Sequence, residues 1–132
     1  MFQSFRDIVG VEIAAIAFRS AETEQASFLD QIAGPDSAHE LWVGDMNGAI
    51  VGFVSLKVDS ESGVGELDLN AVHPDHANKG VGAQLHAHAK ALGAKVATVG
   101  VGGDASHAPA RRAYEKAGFG PAIPSLWYYR TL

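Results

Sequence analysis

The chain has 132 residues, of which 47% are hydrophobic and 19% are charged, and it contains no cysteine. This length and composition predict one globular domain spanning residues 1–132 and leave no room for a second. The lack of cysteine excludes thiol catalysis, disulfides and cysteine-based metal sites. The formal net charge of −5 argues against a nucleic-acid-binding protein, because phosphate neutralisation needs a basic surface.

The charge is distributed unevenly along the chain. Residues 1–66 contain 3 Lys/Arg and 11 Asp/Glu, a net −8, whereas residues 67–132 contain 7 and 4, a net +3. An anionic ligand is therefore expected in the second half. No apolar stretch approaches the roughly 18–20 residues of a membrane span, and the first ten residues lack the order of a secretory signal, which predicts a cytoplasmic protein.

The first third of the chain is predicted to be helical. Apolar residues recur at three- and four-residue steps from Phe5 to Ala33, with a polar interval near Ser20–Thr23, which predicts two helices. The second helix is expected to end at Gly34-Pro35, because proline cannot continue a helix.

Two hairpins are predicted next. The first has the strand Leu41–Val43, a turn at Asn47-Gly48 and the apolar strand Ala49–Val58, and Asn-Gly tolerates the positive φ of a tight turn. The second turns within Asp59–Gly63 and returns as the strand Gly65–Val72. Strict alternation would place Leu67, Leu69 and Ala71 on one face of this strand and Glu66, Asp68 and Asn70 on the other.

The second half alternates helices and strands. The pattern predicts a helix over Gly80–Gly93, a strand over Lys95–Val101, a helix over Pro109–Ala117 that Gly118 stops, and a last strand at Leu126–Tyr129. The resulting order of elements predicts an α+β or mixed α/β fold, with helices packed on the faces of one sheet.

The helix start at Lys79–Ala83 is the most informative segment for ligand binding. Its glycines let the backbone approach a ligand, and the first N–H groups of a helix are free to bind phosphate oxygens, with Lys79 as a nearby cation. Gly80 and Gly82 could equally serve close packing of a strand against a helix. A Walker loop is excluded because Gly-Lys is not followed by Ser or Thr, and a dinucleotide fingerprint is weak because Leu85 replaces its third glycine.

Two motifs together make a family resemblance specific. The segment Leu69–Ala83, LNAVHPDHANKGVGA, resembles the acyl-CoA-binding motif of the GNAT superfamily of N-acetyltransferases, in which Gln/Arg-x-x-Gly-x-Gly/Ala follows a Val-x-Pro strand end. The segment His107–Phe119, HAPARRAYEKAGF, resembles the later Asn-x-x-Ala-x-x-x-Tyr-Glu-Lys-x-Gly-Phe motif of that family. Ala77 departs from the first motif at the Gln/Arg position, and His107 departs from the second at the Asn position.

The resemblance implies a GNAT-like fold with a mostly antiparallel sheet and helices on both faces. Family members usually begin with a strand, and Met1–Ser4 is too short for one, so we expect the sheet to lack the first edge strand. An uncovered sheet edge favours a homodimer.

The resemblance also implies acetyl transfer from acetyl-CoA to a primary amine, by direct attack through a tetrahedral intermediate. By analogy, a backbone N–H at Ala71 or Val72 meets the thioester carbonyl, and Tyr114 protonates the leaving thiolate. The cofactor would be held by the following residues of the two motifs: Ala77, Asn78, Lys79, Gly80, Val81, Gly82, Ala83 and His107.

The general base is less well defined. Glu66 aligns with a strand glutamate that has this role in some relatives, Asp68 is the second candidate, and many relatives pass the proton through water. Glu66 could also be an ordinary solvated carboxylate. The acidic first half hints at a cationic small-molecule acceptor, although a protein amine remains open.

Six histidines raise the question of a metal site, but none is predicted. His86 and His88 point about 200° apart on a helix, and His73 and His76 have no evident third ligand. Arg111-Arg112 fits a solvated helix face better than a phosphate site.

Two other functions remain as alternatives. The Ala77 departure would suit a non-catalytic acyl-CoA-binding regulatory module of the same fold, and the glycine-rich loop would suit a small nucleotide-binding domain. Neither membrane nor nucleic-acid partners are expected.

Overall fold

The structure, a computed structural model, describes residues 2–76 and 87–132. Three helices precede the sheet: α1 (Phe2–Val9), α2 (Val11–Ala17) and α3 (Ala21–Ile32). The strands are β1 (His39–Met46), β2 (Ala49–Asp59), β3 (Val64–Val72) and β4 (Val96–Val99). Helix α4 is Ala108–Lys116, residues 87–91 are also helical, and short 3₁₀ turns occupy Pro74–His76 and Ala105–His107.

The prediction of two amino-terminal helices is wrong, because the first is divided at Gly10. Gly10 has φ +84°, a conformation that side chains rarely adopt and that an α-helix cannot contain. Its N–H donates to Arg6 O at 3.0 Å, and its own carbonyl accepts from the Ala14 N–H at 2.9 Å. Gly10 thus ends one helix and begins the next. The rings of Phe2 and Phe5 pack on Phe18 and hold the two helices together.

The four strands form one mixed sheet in the order β1-β2-β3-β4, in which β1, β2 and β3 are antiparallel and β4 runs parallel to β3. Asn47 and Gly48 both have positive φ, 56° and 85°, which confirms the first predicted hairpin turn. The second hairpin is also confirmed, since β2 and β3 pair on either side of the Asp59–Gly63 turn. No strand precedes α1 among the described residues.

The hydrophobic core lies on one face of this sheet. Val54, Leu56 and Leu67 are buried there, and Ala89 of the helical segment 87–91 packs on them. We call this side the core face. The other side, here the opposite face, contains His39, Lys57 and Glu66, which are cross-strand neighbours. Phe28 of α3 contacts His39, so helices cover both faces, as predicted.

A β-bulge changes the facing of residues in β3. Leu67 lies opposite Leu56 and Asn70 lies opposite Val54, so β3 advances by three residues where β2 advances by two. Directly paired residues share a face, which puts Asn70 on the core face with Leu67. The prediction that Asn70 shares a face with Glu66 and Asp68 is therefore wrong. The extra residue in the bulge breaks the strict alternation on which that prediction relied.

The predicted last strand at Leu126–Tyr129 is not formed. Residues 119–132 have no regular secondary structure, and Trp127 and Tyr128 are exposed. The Tyr129 ring lies 5.8 Å from that of Phe18, the residue that directly follows α2, so the tail reaches the end of that helix. Strand-forming side chains make a strand only when a partner strand lies alongside. The preceding strand is also shorter than predicted, at Val96–Val99 rather than Lys95–Val101.

Replacing Leu56 by alanine is expected to destabilise the fold by about 2–5 kcal/mol, because Leu56 is only 2% exposed at the centre of the core face. Urea denaturation of the wild type and the variant measures the difference. Ile50→Ala, on the same strand but 69% exposed, is the control and should change stability by less than about 0.5 kcal/mol. Equal effects of the two substitutions would contradict this description of the core.

Candidate active site

An opening in the sheet lies between β3 and β4. The two strands pair only from Val64↔Val96 to Leu67↔Val99. β3 continues to Val72, whereas β4 ends at Val99. Residues 70–72 of β3 are exposed. Among residues 2–76 and 87–132, no strand pairs with their backbone groups on the β4 side, which are therefore positioned to meet a ligand.

The hydrogen bonds on the other side of β3 show which N–H groups face this opening. The His73 N–H donates to Val51 O of β2 at 2.8 Å. Successive N–H groups of a strand alternate in direction, so the Ala71 N–H also faces β2 and the Val72 N–H faces the opening. Gly52 lies opposite Val72, and a Cβ at this glycine would be 2.8 Å from Ala71 O. The close approach of β2 at Gly52 fixes the backbone that presents the Val72 N–H.

Tyr114 reaches this opening from α4. Its hydroxyl accepts a hydrogen bond from Asn70 Nδ2 at 2.8 Å and donates to Asn70 Oδ1 at 3.1 Å. The Tyr114 ring packs edge-on against Phe119, with ring centroids 5.9 Å apart, and Phe119 packs against the core cluster. The bulge is what turns Asn70 toward Tyr114. The Tyr114 hydroxyl is thus held beside the end of β3 that extends past β4.

The two candidate bases lie on the opposite face. Glu66 is exposed, pairs across from Lys57 of β2 and lies beside Thr98 of β4. The carboxylate of Asp68 contacts His39, with Asp68 Oδ2 2.5 Å from His39 Nε2. The structure therefore brings Tyr114 together with Asn70, and Asp68 together with His39.

His107 belongs to a tightly bonded loop between β4 and α4. Its Nδ1 lies 2.5 Å from Asp104 Oδ1, and its ring stacks on Phe5 of α1 at a centroid distance of 5.3 Å. A Cβ at Gly102 would meet Asp104 Oδ1 at 2.7 Å and His107 Nδ1 at 2.8 Å, so this loop requires glycine there. Arg111 completes the loop by donating to the carbonyls of Gly102 and Asp104 at 2.5 and 2.8 Å. The interpretation of Arg111 as part of a solvated helix face is therefore wrong.

We expect Asp104 to make the fold sensitive to acid. Hydrogen bonds from Ser106 and then His107 lower the pKa of Asp104 to about 2. A carboxylate with a lowered folded-state pKa stabilises the protein fully above its unfolded pKa of about 4, and this contribution is lost as the pH falls from about 4 to about 2.

Asp104→Asn should accordingly be less stable than the wild type at pH 7, and the difference should shrink as the pH falls from 5 to 2. Thermal melts across that range measure it. Asp36→Asn is the control, since Asp36 is exposed and its side chain has no hydrogen bond to the described residues. A wild-type-to-Asp104→Asn difference that stays constant with pH would contradict the assignment.

Further histidines form separate contacts. Glu40 Oε2 lies 2.9 Å from His88 Nε2, a hydrogen bond that lowers the pKa of Glu40, and the Trp42 ring packs on His88. The rings of His73 and His76 lie 5.8 Å apart. In residues 2–76 and 87–132, no group of three or more His, Cys, Asp or Glu side chains is arranged to hold a metal ion. Within the same ranges no helix is long and apolar enough to cross a membrane.

The predicted cofactor loop lies outside the described residues. This applies to Ala77, Asn78, Lys79, Gly80, Val81, Gly82 and Ala83, and to the start of the predicted Gly80–Gly93 helix, of which 87–91 are described as helical. Two side chains at the site escaped sequence reasoning. The sequence did not indicate Asn70, because the alternation of apolar and polar residues does not reveal the bulge that turns it. It did not indicate His39, because its partner Asp68 is 29 residues away.

The family model for the acetyltransferase (GNAT) family matches residues 10–119. The chain belongs to this family, as the two motifs indicated. It is thereby an acetyl-CoA-dependent acyltransferase. No curated protein sequence matches the chain.

Solved structures show the same fold at low sequence identity. The aminoglycoside N-acetyltransferase AAC(6')-Iy in complex with CoA has a TM-score of 0.62 and 14% identity, covering 93% of this chain and 97% of that one. An aminoglycoside acetyltransferase from an uncultured soil metagenomic sample, in complex with sisomicin, has a TM-score of 0.59 and 16% identity, covering 91% and 87%. Glucosamine-6-phosphate N-acetyltransferase from Arabidopsis thaliana has a TM-score of 0.56 and 18% identity, covering 80% and 75%.

Proposed function

We propose that the protein transfers the acetyl group of acetyl-CoA to a primary amine of a cationic small molecule. The observation that carries the proposal is the opening beside β3. There the Val72 backbone N–H faces outward, and Asn70, two residues earlier on the same strand, holds the Tyr114 hydroxyl. These are the two donors that the family chemistry requires.

Each donor has a separate role in the proposed reaction. The amine attacks the thioester carbonyl, and the Val72 N–H donates a hydrogen bond to the oxygen as negative charge develops on it. When the tetrahedral intermediate collapses, Tyr114 gives its proton to the departing thiolate. The attacking nitrogen passes its proton to Glu66, to Asp68 or to water. Both carboxylates lie on the opposite face, Glu66 exposed and Asp68 half-buried, which favours proton uptake on that side.

The cofactor would be held by the segment from Ala77 to Ala83 and by the loop at His107. His107 is fixed by Asp104 and Phe5, so its contribution to binding would come from a rigid loop. No side chain at Ala77 can bind pyrophosphate, and we propose that the backbone N–H groups of the glycine-rich segment supply that contact.

A cationic acceptor is supported by the charge of the chain. Residues 1–66, which include β1 and β2, have a net charge of −8. Acidic surfaces attract cationic ligands and speed their association. Structures of similar fold are named as aminoglycoside acetyltransferases, one of them in complex with sisomicin. A homodimer and a cytoplasmic location stay predictions.

Release of free CoA thiol from acetyl-CoA tests the proposal, with a polyamine, an aminoglycoside, an amino acid and a lysine peptide as acceptors. We expect turnover that depends on the amine and is fastest with the multiply charged small molecules. Thermal stabilisation by acetyl-CoA, measured beside a dinucleotide, tests cofactor choice.

Two outcomes would contradict the proposal. Stabilisation by acetyl-CoA without turnover of any amine would indicate the regulatory module, and stabilisation by the dinucleotide alone would indicate a nucleotide-binding domain.

A further inference from the structure

His39 and Asp68 form a fixed pair on the opposite face of the sheet. His39 Nε2 lies 2.5 Å from Asp68 Oδ2, and the two side chains are only 15% and 21% exposed. The pair joins β1 to β3 across β2. The His39 ring also makes a T-shaped contact with the Phe28 ring of α3 at a centroid distance of 5.9 Å, and the His39 backbone N–H donates to Ser37 Oγ at 3.1 Å. The imidazole is therefore held by packing as well as by its carboxylate partner.

Asp68 lies at the end of the opening where β3 and β4 part. It follows Leu67, which is in the last β3–β4 pair, and it lies within the bulge. Ser55 is fully buried and stabilises the bulge, since its Oγ accepts from the Leu69 N–H at 2.9 Å. Asp68 Oδ1 has no hydrogen-bond partner among residues 2–76 and 87–132. Within those ranges, one oxygen of a well-positioned carboxylate is thus left without a protein partner.

The bulge separates two functional groups that would otherwise lie on one face. Asp68 is on the opposite face with His39, whereas Asn70, only two residues later, is on the core face with Tyr114. A nucleophile and a leaving group occupy different positions on a tetrahedral carbon. A cationic amine guided by Asp68 and a thiolate near Tyr114 would thus approach from different sides of the sheet.

We propose that Asp68 Oδ1 binds the amine of the acceptor and that His39 is a positioning residue, which holds Asp68 Oδ2 and so directs the other oxygen to the opening. This inference rests on the proposed acetyl transfer. Lys57 and Glu66 are charged side chains on the same face, with Lys57 directly opposite His39. Lys57 is exposed and makes no ion pair with a described residue, so among residues 2–76 and 87–132 the ionic partner of Asp68 is His39.

The test compares His39→Phe with His39→Gln. Phenylalanine keeps a ring against Phe28 but has no donor, whereas glutamine keeps an N–H donor for Asp68. We expect His39→Phe to raise the KM for the amine about tenfold, the usual scale for losing one charge-directed contact. The KM for acetyl-CoA should change less than twofold, and His39→Gln should restore most of the loss.

Asp68→Asn provides the second arm. It should raise the KM for the amine at least as much as His39→Phe does. The double variant should have the same KM for the amine as Asp68→Asn alone, because both substitutions disrupt the same His39–Asp68 pair. Thermal melts and acetyl-CoA binding show that each variant is folded.

The failures are distinguishable. A wild type that turns over no amine overturns the proposed function and this inference with it. A wild type that turns over, with the amine KM unchanged in Asp68→Asn and in either His39 variant, overturns the inference alone. An equal rise of both KM values together with lost thermal stability would make the pair a structural brace and would also overturn it.

Discussion

Replacing Tyr114 by phenylalanine is expected to lower kcat by about a hundredfold or more, the usual contribution of a positioned general acid. The substitution removes the hydroxyl that lies 2.8 Å from Asn70 Nδ2 and leaves the ring against Phe119. A thiolate then leaves without a proton from the protein. Since the phenol acts only as the bond to sulfur breaks, the KM for acetyl-CoA should change little. Steady-state release of thiol measures both constants.

Tyr128→Phe is the matched control for this experiment. Tyr128 is 89% exposed in the tail, so loss of its hydroxyl should leave kcat and stability unchanged. Asn70→Ala adds a graded variant, because it keeps the Tyr114 hydroxyl but removes the amide that orients it, and we expect a loss smaller than that of Tyr114→Phe. A Tyr114→Phe variant within threefold of wild-type kcat would show that the proton comes from elsewhere.

Local sequence patterns predicted those parts of the molecule whose structure is determined locally. The Asn47-Gly48 turn follows from two residues that tolerate positive φ, and helix α4 follows from Pro109 near its start and Gly118, with φ +92°, after its end. The position of Tyr114 on that helix was predictable for the same reason. Each of these features depends on the residues themselves and on their immediate neighbours.

The errors arose where distant parts of the chain decide the structure. Alternation in β3 predicted Asn70 on the wrong face, because the bulge is set by pairing with β2 and by the buried Ser55 hydroxyl. The tail at Leu126–Tyr129 has strand-forming residues but contacts Phe18, at the end of α2, and pairs with no described strand. The periodicity from Phe5 to Ser20 predicted one helix, but Gly10 adopts a φ of +84° and divides it.

The family resemblance predicted residue roles, which stay predictions, and it did not predict the geometry around them. It indicated Tyr114 and the end of β3 without showing that Asn70 joins them, and it left Ala71 and Val72 equivalent. The direction of a strand N–H depends on register, and the register became known only through the bond from His73 to Val51. The Asp68 and His39 pair lies outside both motifs, and its members come from strands that are not adjacent.

Replacing Val72 by proline should lower kcat by about a hundredfold to a thousandfold, the usual cost of losing one oxyanion donor. Proline removes the backbone N–H, and at Val72 that group faces the opening rather than β2. The antiparallel ladder is therefore expected to survive, as is binding of acetyl-CoA. Thiol release gives kcat, and calorimetry gives the affinity for acetyl-CoA.

Ala71→Pro separates this catalytic effect from a general disturbance of β3. The Ala71 N–H faces β2, so proline there removes a ladder hydrogen bond within the sheet and should destabilise the fold by about 1–3 kcal/mol, the usual cost of leaving one partner unsatisfied. Val72→Pro should lose catalysis and keep its fold, whereas Ala71→Pro should lose stability.

If Val72→Pro is folded and turns over at the wild-type rate, the developing negative charge is stabilised by another group. A Val72→Pro variant as unstable as Ala71→Pro would show instead that the Val72 N–H is part of the β2 ladder. In that case the outward N–H groups would belong to the odd-numbered residues, and Ala71 would be the donor.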